Sequence, residues 1–176
     1  MKRTAFLLIC IFVLLPAACI GGNSDDDMEL IYRRNTGKGQ EDWDDKVIKV
    51  TPDGRGHLLV DAVLNGEVHA SLMLDTGSPV VCLTADIAGK LGLDPDKMKD
   101  IEEIMVLNGK HKVVRVNLKS VDLGGAEQEN IPAVVMLDDD KTVADAFNDG
   151  LLGMSFLGKF YFTLDDKNGE LILREK

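Results

Sequence analysis

From about Val47 onward, apolar and polar positions alternate in short runs, the period of half-buried strands. Val68, Ala70, Leu72 and Leu74 fall on one face of such a run. Val114, Val116 and Leu118 alternate with Arg115, Asn117 and Lys119, and Phe160, Phe162 and Leu164 lead into a last turn that Leu171 and Leu173 leave. The Asn-Gly pairs Asn65-Gly66, Asn108-Gly109 and Asn168-Gly169 punctuate the runs, with Gly124-Gly125 as a further candidate turn. Asn-Gly suits the two-residue turn with positive φ at both central residues, so each pair predicts a hairpin. Helical patterning is scarce. In "TADIAGKLG", Thr84 can cap, Asp86 suits the positive end, Ile87, Ala88 and Leu91 form an apolar face and Gly92 can stop the helix. A second short helix is expected near Ser155. The pattern therefore predicts an all-β domain with one or two short helices.

The beginning of the chain reads differently. "MKRTAFLLICIFVLLPAACIGG" carries Lys2 and Arg3, an apolar run from Ala5 to Leu15, and the small residues Ala17 and Ala18 just before Cys19. This predicts an export signal over residues 1–19, too short for a comfortable membrane span. The ending resembles a bacterial lipobox, in which the Cys becomes the lipidated first residue of the mature protein, although Pro16 stands where that pattern prefers Leu. Ordinary cleavage with Cys19 as a bystander, or an uncleaved anchor, are the alternatives. The expected location is the periplasm or cell envelope, with any membrane contact made through this segment. Residues 20–50 are polar, Gly-rich and acidic, and predict a flexible tether in which Trp43 docks on the domain. The folded domain is expected over residues 51–176.

Composition narrows the chemistry. The 176 residues are 45% hydrophobic, enough for one domain with a real core, and the net charge of −10 argues against a nucleic-acid partner. In the body of the chain Cys82 stands alone, so it has no internal disulfide partner and reads as a small buried hydrophobe. Asp138, Asp139 and Asp140 lack the spacing of a calcium loop. His57, His69 and His111 read as exposed strand positions without a ligand-spaced partner. No metal or cofactor is expected.

The chemistry-bearing stretch is "SLMLDTGSPVVCL", residues 71–83, where an apolar run is broken by Asp-Thr-Gly-Ser and then resumes. Either a plain turn or a buried carboxylate held for chemistry explains it. Gly77 permits a tight turn, while Thr76, Ser78 and local N–H groups can orient the Asp75 carboxyl. Burial raises a carboxyl pKa and hydrogen bonds to its charged form lower it, so a site with both is a candidate acid or base.

"LMLDTGS", preceded by "HLLVDAVLNGEVHA" and followed about 75 residues later by "DGLLGMSFL", resembles the retropepsin-like aspartic proteases, in particular the exported bacterial single-domain members, over roughly residues 55–174. The resemblance implies a closed β-barrel or sandwich of the acid-protease type. It implies Asp75 as the catalytic residue, Thr76, Gly77 and Ser78 as its loop, Leu151, Leu152 and Gly153 as the brace, and Asn108-Gly109 as the flap tip. Aspartic-protease chemistry needs two carboxyls sharing one proton. Because the chain has one Asp-Thr-Gly, the implied enzyme is a homodimer acting on a peptide or protein substrate, with one Asp75 from each subunit. Three features depart from the family pattern. Ser78 stands where many single-domain members have Ala, Pro79 stiffens the loop exit, and the acidic insertion 138–149 is long. The alternative is a non-catalytic peptide-binding or structural lipoprotein on the same fold.

Overall fold

The computed structural model describes residues 44–94, 97, 101–106, 109–137 and 147–176. The signal segment with Cys19, most of the tether with Trp43, the hairpin-tip residue Asn108 and the residues Asp138, Asp139 and Asp140 lie outside the described residues. In chain order the elements are β1 (Lys46–Lys49), β2 (Thr51–Pro52), β3 (Leu58–Leu64), β4 (Val68–Leu74), β5 (Val81–Leu83), α1 (Ala85–Lys90), β6 (Ile101–Val106), β7 (Gly109–Leu123), β8 (Ala126–Met136), β9 (Gly150–Leu152), α2 (Met154–Leu157), β10 (Phe160–Asp165) and β11 (Glu170–Glu175).

One sheet runs in the order β2-β3-β4-β9-β5-β8-β7-β6. A further pairing of β3 with β7, Val63 opposite Asp122 and Leu64 opposite Val121, closes the strands between them into a six-stranded barrel. Closure removes the exposed edges that an open sheet would carry along those strands. A second, three-stranded sheet orders as β1-β11-β10. The acid-protease-type all-β fold implied by the sequence is therefore the observed one.

The strand faces follow the sequence pattern. Val68, Ala70 and Leu72 of β4 are buried in the main core with Val60, Ala62 and Leu64 of β3, and with Leu118 of β7. At the end of β4 the alternation fails, because Met73 is buried as well. A second apolar cluster covers that face: Met73, Cys82, Ile104, Val113, Val134, Met136, Phe147 and Leu151. The strand is thus buried on both faces just before Asp75.

The turns differ in type. Asn65 and Gly66 both have positive φ, 54° and 74°, and join β3 to β4 as the tight turn requires. Gly124 and Gly125 do the same between β7 and β8, at 55° and 94°. At Asn168-Gly169 only Gly169 is left-handed (φ 64°). Asn168 instead donates its backbone and side-chain N–H groups to the Asp165 carboxylate, in a longer connection over residues 166–169. Helix α1 is capped as predicted, with the Thr84 hydroxyl accepting from the Ile87 N–H at 3.5 Å.

The tether expected over residues 20–50 ends sooner than its predicted boundary. Lys46–Lys49 is already strand β1, with Ile48 opposite Leu171. Ile48 and Val50 are buried in the main core, which the polar character of the preceding residues does not disclose. Arg174 clamps this strand's entry through a bidentate pair to Asp45, both contacts at 2.7 Å.

Candidate active site

Strand β9 lies between the two strands that flank the Asp75 turn. It pairs in parallel with β4, Met73 opposite Leu151 and Leu74 opposite Leu152, and antiparallel with β5, Cys82 opposite Leu151. The chain between β4 and β5 must therefore loop around the end of β9, and that loop is Asp-Thr-Gly-Ser-Pro-Val. The structure thus brings Leu151, Leu152 and Gly153 against the Asp75 loop from far along the chain.

Backbone bonds fix the loop at both ends. The Asp75 N–H donates to Leu152 O at 3.1 Å, and Met154 N–H donates to Ser78 O at 2.8 Å. Within the loop, Ser78 N–H donates to Asp75 O at 3.2 Å and the Ser78 hydroxyl donates to Val80 O at 2.7 Å. Ser78 is fully buried, so its hydroxyl serves the loop rather than an external group. Gly153 is where the loop and the brace touch. A β-carbon there would stand 2.2 Å from Val80 O and 2.7 Å from Ser78 O, both fixed backbone atoms. Only glycine fits that approach.

One bracing residue is not legible from the motif. Ser155 donates its hydroxyl to Pro132 O at 2.8 Å and accepts the Val81 N–H at 3.0 Å. It ties the loop exit to β8. A single hydroxyl in "GMSFL" carries no sequence signal of that role; only the β5–β8–β9 pairing reveals it.

The Asp75 carboxyl is buried, with 8% exposure. Its Oδ1 accepts the Gly77 N–H at 2.9 Å. Its Oδ2 is buried without a partner in the chain, the one such side-chain atom among the described residues. Burial pushes the carboxyl pKa up, and the Gly77 and Ser78 N–H groups only partly offset this. Cys82 lies close enough to feel Asp75. Its thiol is pushed up to about 12, by burial first and then by the neighbouring negative charge. It is an inert buried side chain, as its apolar context implies. Thr76, by contrast, is exposed.

The β6–β7 hairpin pairs from Ile101 opposite Val114 to Val106 opposite Gly109. Its outer stem carries a fork from Arg115 to Glu102, with contacts of 2.9 to 3.1 Å. Ile104 and Val113 on this hairpin belong to the apolar cluster that includes Met73, Cys82 and Leu151, so the hairpin packs on the site side of the barrel. Gly109 is already the first residue of β7, paired with Val106, so it belongs to the hairpin stem rather than to the tip expected at Asn108-Gly109; Asn108 lies outside the described residues.

Two histidines differ from their expected exposure or isolation. His111 is buried opposite Ile104. His57 is only half-buried but has a carboxylate partner, its Nδ1 lying 2.8 Å from Asp53 Oδ2. His69 is exposed, as expected.

Residues 60–159 match the family model described as "gag-polyprotein putative aspartyl protease". Among curated proteins, the chain is 32% identical over 120 residues to an uncharacterized protein from the cobV 5′ region of Sinorhizobium sp., covering 68% of this chain and 48% of that protein. It is 34% identical over 120 residues to an uncharacterized protein of Rickettsia prowazekii (strain Madrid E), covering 67% and 48%. The chain thus spans about half the length of the curated relatives it matches. Among solved structures, the crystal structure of a retropepsin-like aspartic protease from Rickettsia conorii matches with a TM-score of 0.57 and 35% identity, covering 73% of this chain and 98% of that one.

Proposed function

This chain belongs to the retropepsin-like aspartic protease family, and from that premise we propose that it is an endopeptidase whose active site forms between two copies of Asp75. The observation that carries this reading is the buried, unpartnered Oδ2 of Asp75. An unmade hydrogen bond on a buried polar group costs about 1–3 kcal/mol, so a fold that braces it from both sides holds it for an external partner. A second Asp75 carboxyl across a two-fold axis is that partner. Two carboxyls so close share one proton, because both cannot ionise. One then takes a proton from a water that attacks the scissile carbonyl carbon, while the other donates its proton to the carbonyl oxygen. When the tetrahedral intermediate breaks its C–N bond, the carboxyl that took the water's proton gives it to the leaving amine, and a hydroxyl of the intermediate returns its proton to the other carboxylate, which restores the shared-proton pair.

The remaining parts take roles in the same scheme. Exposed Thr76 reaches the partner's loop, and the β6–β7 hairpin acts as a flap that covers an extended peptide and excludes water. The "MKRTAFLLICIFVLLPAAC" segment exports the protein to the cell envelope, with lipid at Cys19 confining it to a membrane surface. Peptide-library cleavage by wild type and Asp75→Asn side by side tests the reading. Cleavage that disappears in the variant supports it; cleavage at the wild-type rate in the variant rejects it.

A further inference from the structure

The acidic insertion ends at Asp149, directly before β9, and the proposed catalysis uses none of its side chains. Strand β9 pairs with β4 only at Met73 and Leu74. At Ser71, earlier in β4, side chains stand where a neighbouring strand would. Ser71 N–H donates to Asp149 Oδ2 at 2.8 Å. Ser71 O accepts Asn148 Nδ2 at 3.0 Å and the Asp149 N–H at 3.4 Å. One Asn-Asp pair thus satisfies both backbone groups of a strand residue, which need partners once the strand is covered.

The same pair reaches the other side of the site. The Asp149 carbonyl accepts the Thr84 N–H at 3.2 Å and the Thr84 hydroxyl at 3.3 Å. Thr84 follows β5 and caps α1. The backbone is shaped for this double contact. Asn148 is left-handed, with φ 55°, and bridges to Leu72 of β4. A β-carbon at Gly150 would stand 2.1 Å from Cys82 O, so only glycine lets the chain turn there into β9.

Strand β4 enters the Asp75 loop and β5 leaves it. Asn148-Asp149 joins these two strands at the start of β9, and at its end the Leu152 carbonyl accepts the Asp75 N–H. Only Gly150 and Leu151 separate Asp149 from Leu152. A slide of β9 at its first residue is therefore carried to Asp75.

We propose that Asp149, with Asn148, is a positioning residue of the site: it sets where β9 sits between β4 and β5 and so, through the Leu152 carbonyl, where the Asp75 carboxyl stands for proton transfer. This rests on the protease reading, and amide exchange separates the two. Asp149→Ala should lower kcat about tenfold and leave KM within about twofold, since the reacting carboxyl is misplaced while peptide contacts are untouched. Asp149→Asn, freshly prepared, keeps an acceptor for the Ser71 N–H and should recover most of the loss. Asn65→Gly is the control. It removes two bonds of the same kind, from the Lys119 and Ser120 N–H groups at 2.8 and 3.4 Å, at the β3–β4 turn, and should leave kcat unchanged. Hydrogen exchange read by NMR gives a measure that needs no substrate. Relative to the slowest-exchanging amides, the Asp75 N–H should exchange about tenfold faster in Asp149→Ala and at the wild-type rate in Asp149→Asn and Asn65→Gly. Should Asp149→Ala fail to fold, Asn148→Gly keeps the left-handed backbone, removes the side-chain bond to Ser71 O, and should move both quantities in the same direction. Exchange and kcat that respond to the clamp variants no more than to Asn65→Gly overturn the assignment and leave proteolysis standing, as does a loss carried by KM alone. Faster Asp75 exchange in Asp149→Ala, reversed in Asp149→Asn, with no cleavage by wild type, rejects proteolysis and supports the clamp.

Discussion

The carbonyl of Leu152 accepts the N–H of Asp75 at 3.1 Å, and the next residue, Gly153, lies against the carbonyls of Ser78 and Val80. The carboxyl is positioned by a strand from the far end of the sequence, and the contact tolerates no side chain. Gly153→Ala should therefore destabilise the fold by about 1–3 kcal/mol through overpacking against backbone. Because the displaced atoms belong to the Asp75 loop, cleavage should fall further than the folded fraction does. Denaturant midpoints and specific activity, measured on the same preparation, check both parts.

Ser155 gives a second handle on the same loop. Ser155→Ala leaves the Val81 N–H and the Pro132 carbonyl without their shared hydroxyl. The expected cost is about 1–3 kcal/mol, seen as a lower denaturant midpoint with an unchanged slope. By comparison, Glu102→Gln removes only an exposed fork to Arg115 and should cost less than about 1 kcal/mol. If the two variants lose the same amount, the loop is not held as described.

The raised pKa of Asp75 makes a signed statement about stability. The folded chain binds this proton more tightly than the unfolded chain, whose carboxyl titrates near about 4. Stability contributed by the neutral form is complete below that value and is lost as pH rises through the raised folded value. Asp75→Asn removes the penalty, so its Tm should exceed wild type at neutral pH and converge with it near pH ~3. Asp45 and Glu102, held low by hydrogen bonds from Arg174 and Arg115, destabilise both proteins alike in acid and cancel in the difference. Paired melting curves across pH measure it. A variant less stable than wild type at pH ~7 would show that the carboxylate, not the acid, is the form the fold favours.

The same contrast between local and long-range information decides what the sequence disclosed. Asp-Thr-Gly and Leu-Leu-Gly are legible because a tight turn and a side-chain-free approach demand those residue types at those places. Val68, Ala70 and Leu72 are legible because one covered face gives a period of two. Burial of Met73 is not, since it follows from the second cluster, whose members come from distant strands. Ser155 and the Asp53–His57 pair escape for the same reason: a hydroxyl or an imidazole takes its role from what the topology sets beside it. Asn168-Gly169 does mark the β10–β11 hairpin, but in a longer turn, because the Asp165 carboxylate offers Asn168 a competing set of bonds.

Assembly supplies the last expectation. A subunit with one Asp75 holds half of the proposed site, so activity requires association. The interface must offset the lost translational and rotational freedom, a cost of about 4–15 kcal/mol at the standard state. Specific activity of a soluble form, with residues 1–18 removed and Cys19→Ser, should therefore fall on dilution through the dissociation constant. Confinement to a membrane surface raises effective concentration, so a form carrying the proposed lipid at Cys19, reconstituted in vesicles, should keep its activity at dilutions where the soluble form has lost it. Sedimentation velocity across the same concentration series should show monomer appearing as activity disappears. A species that stays monomeric at every concentration and keeps full specific activity would exclude the shared site, since a single Asp75 cannot act as both acid and base in one step.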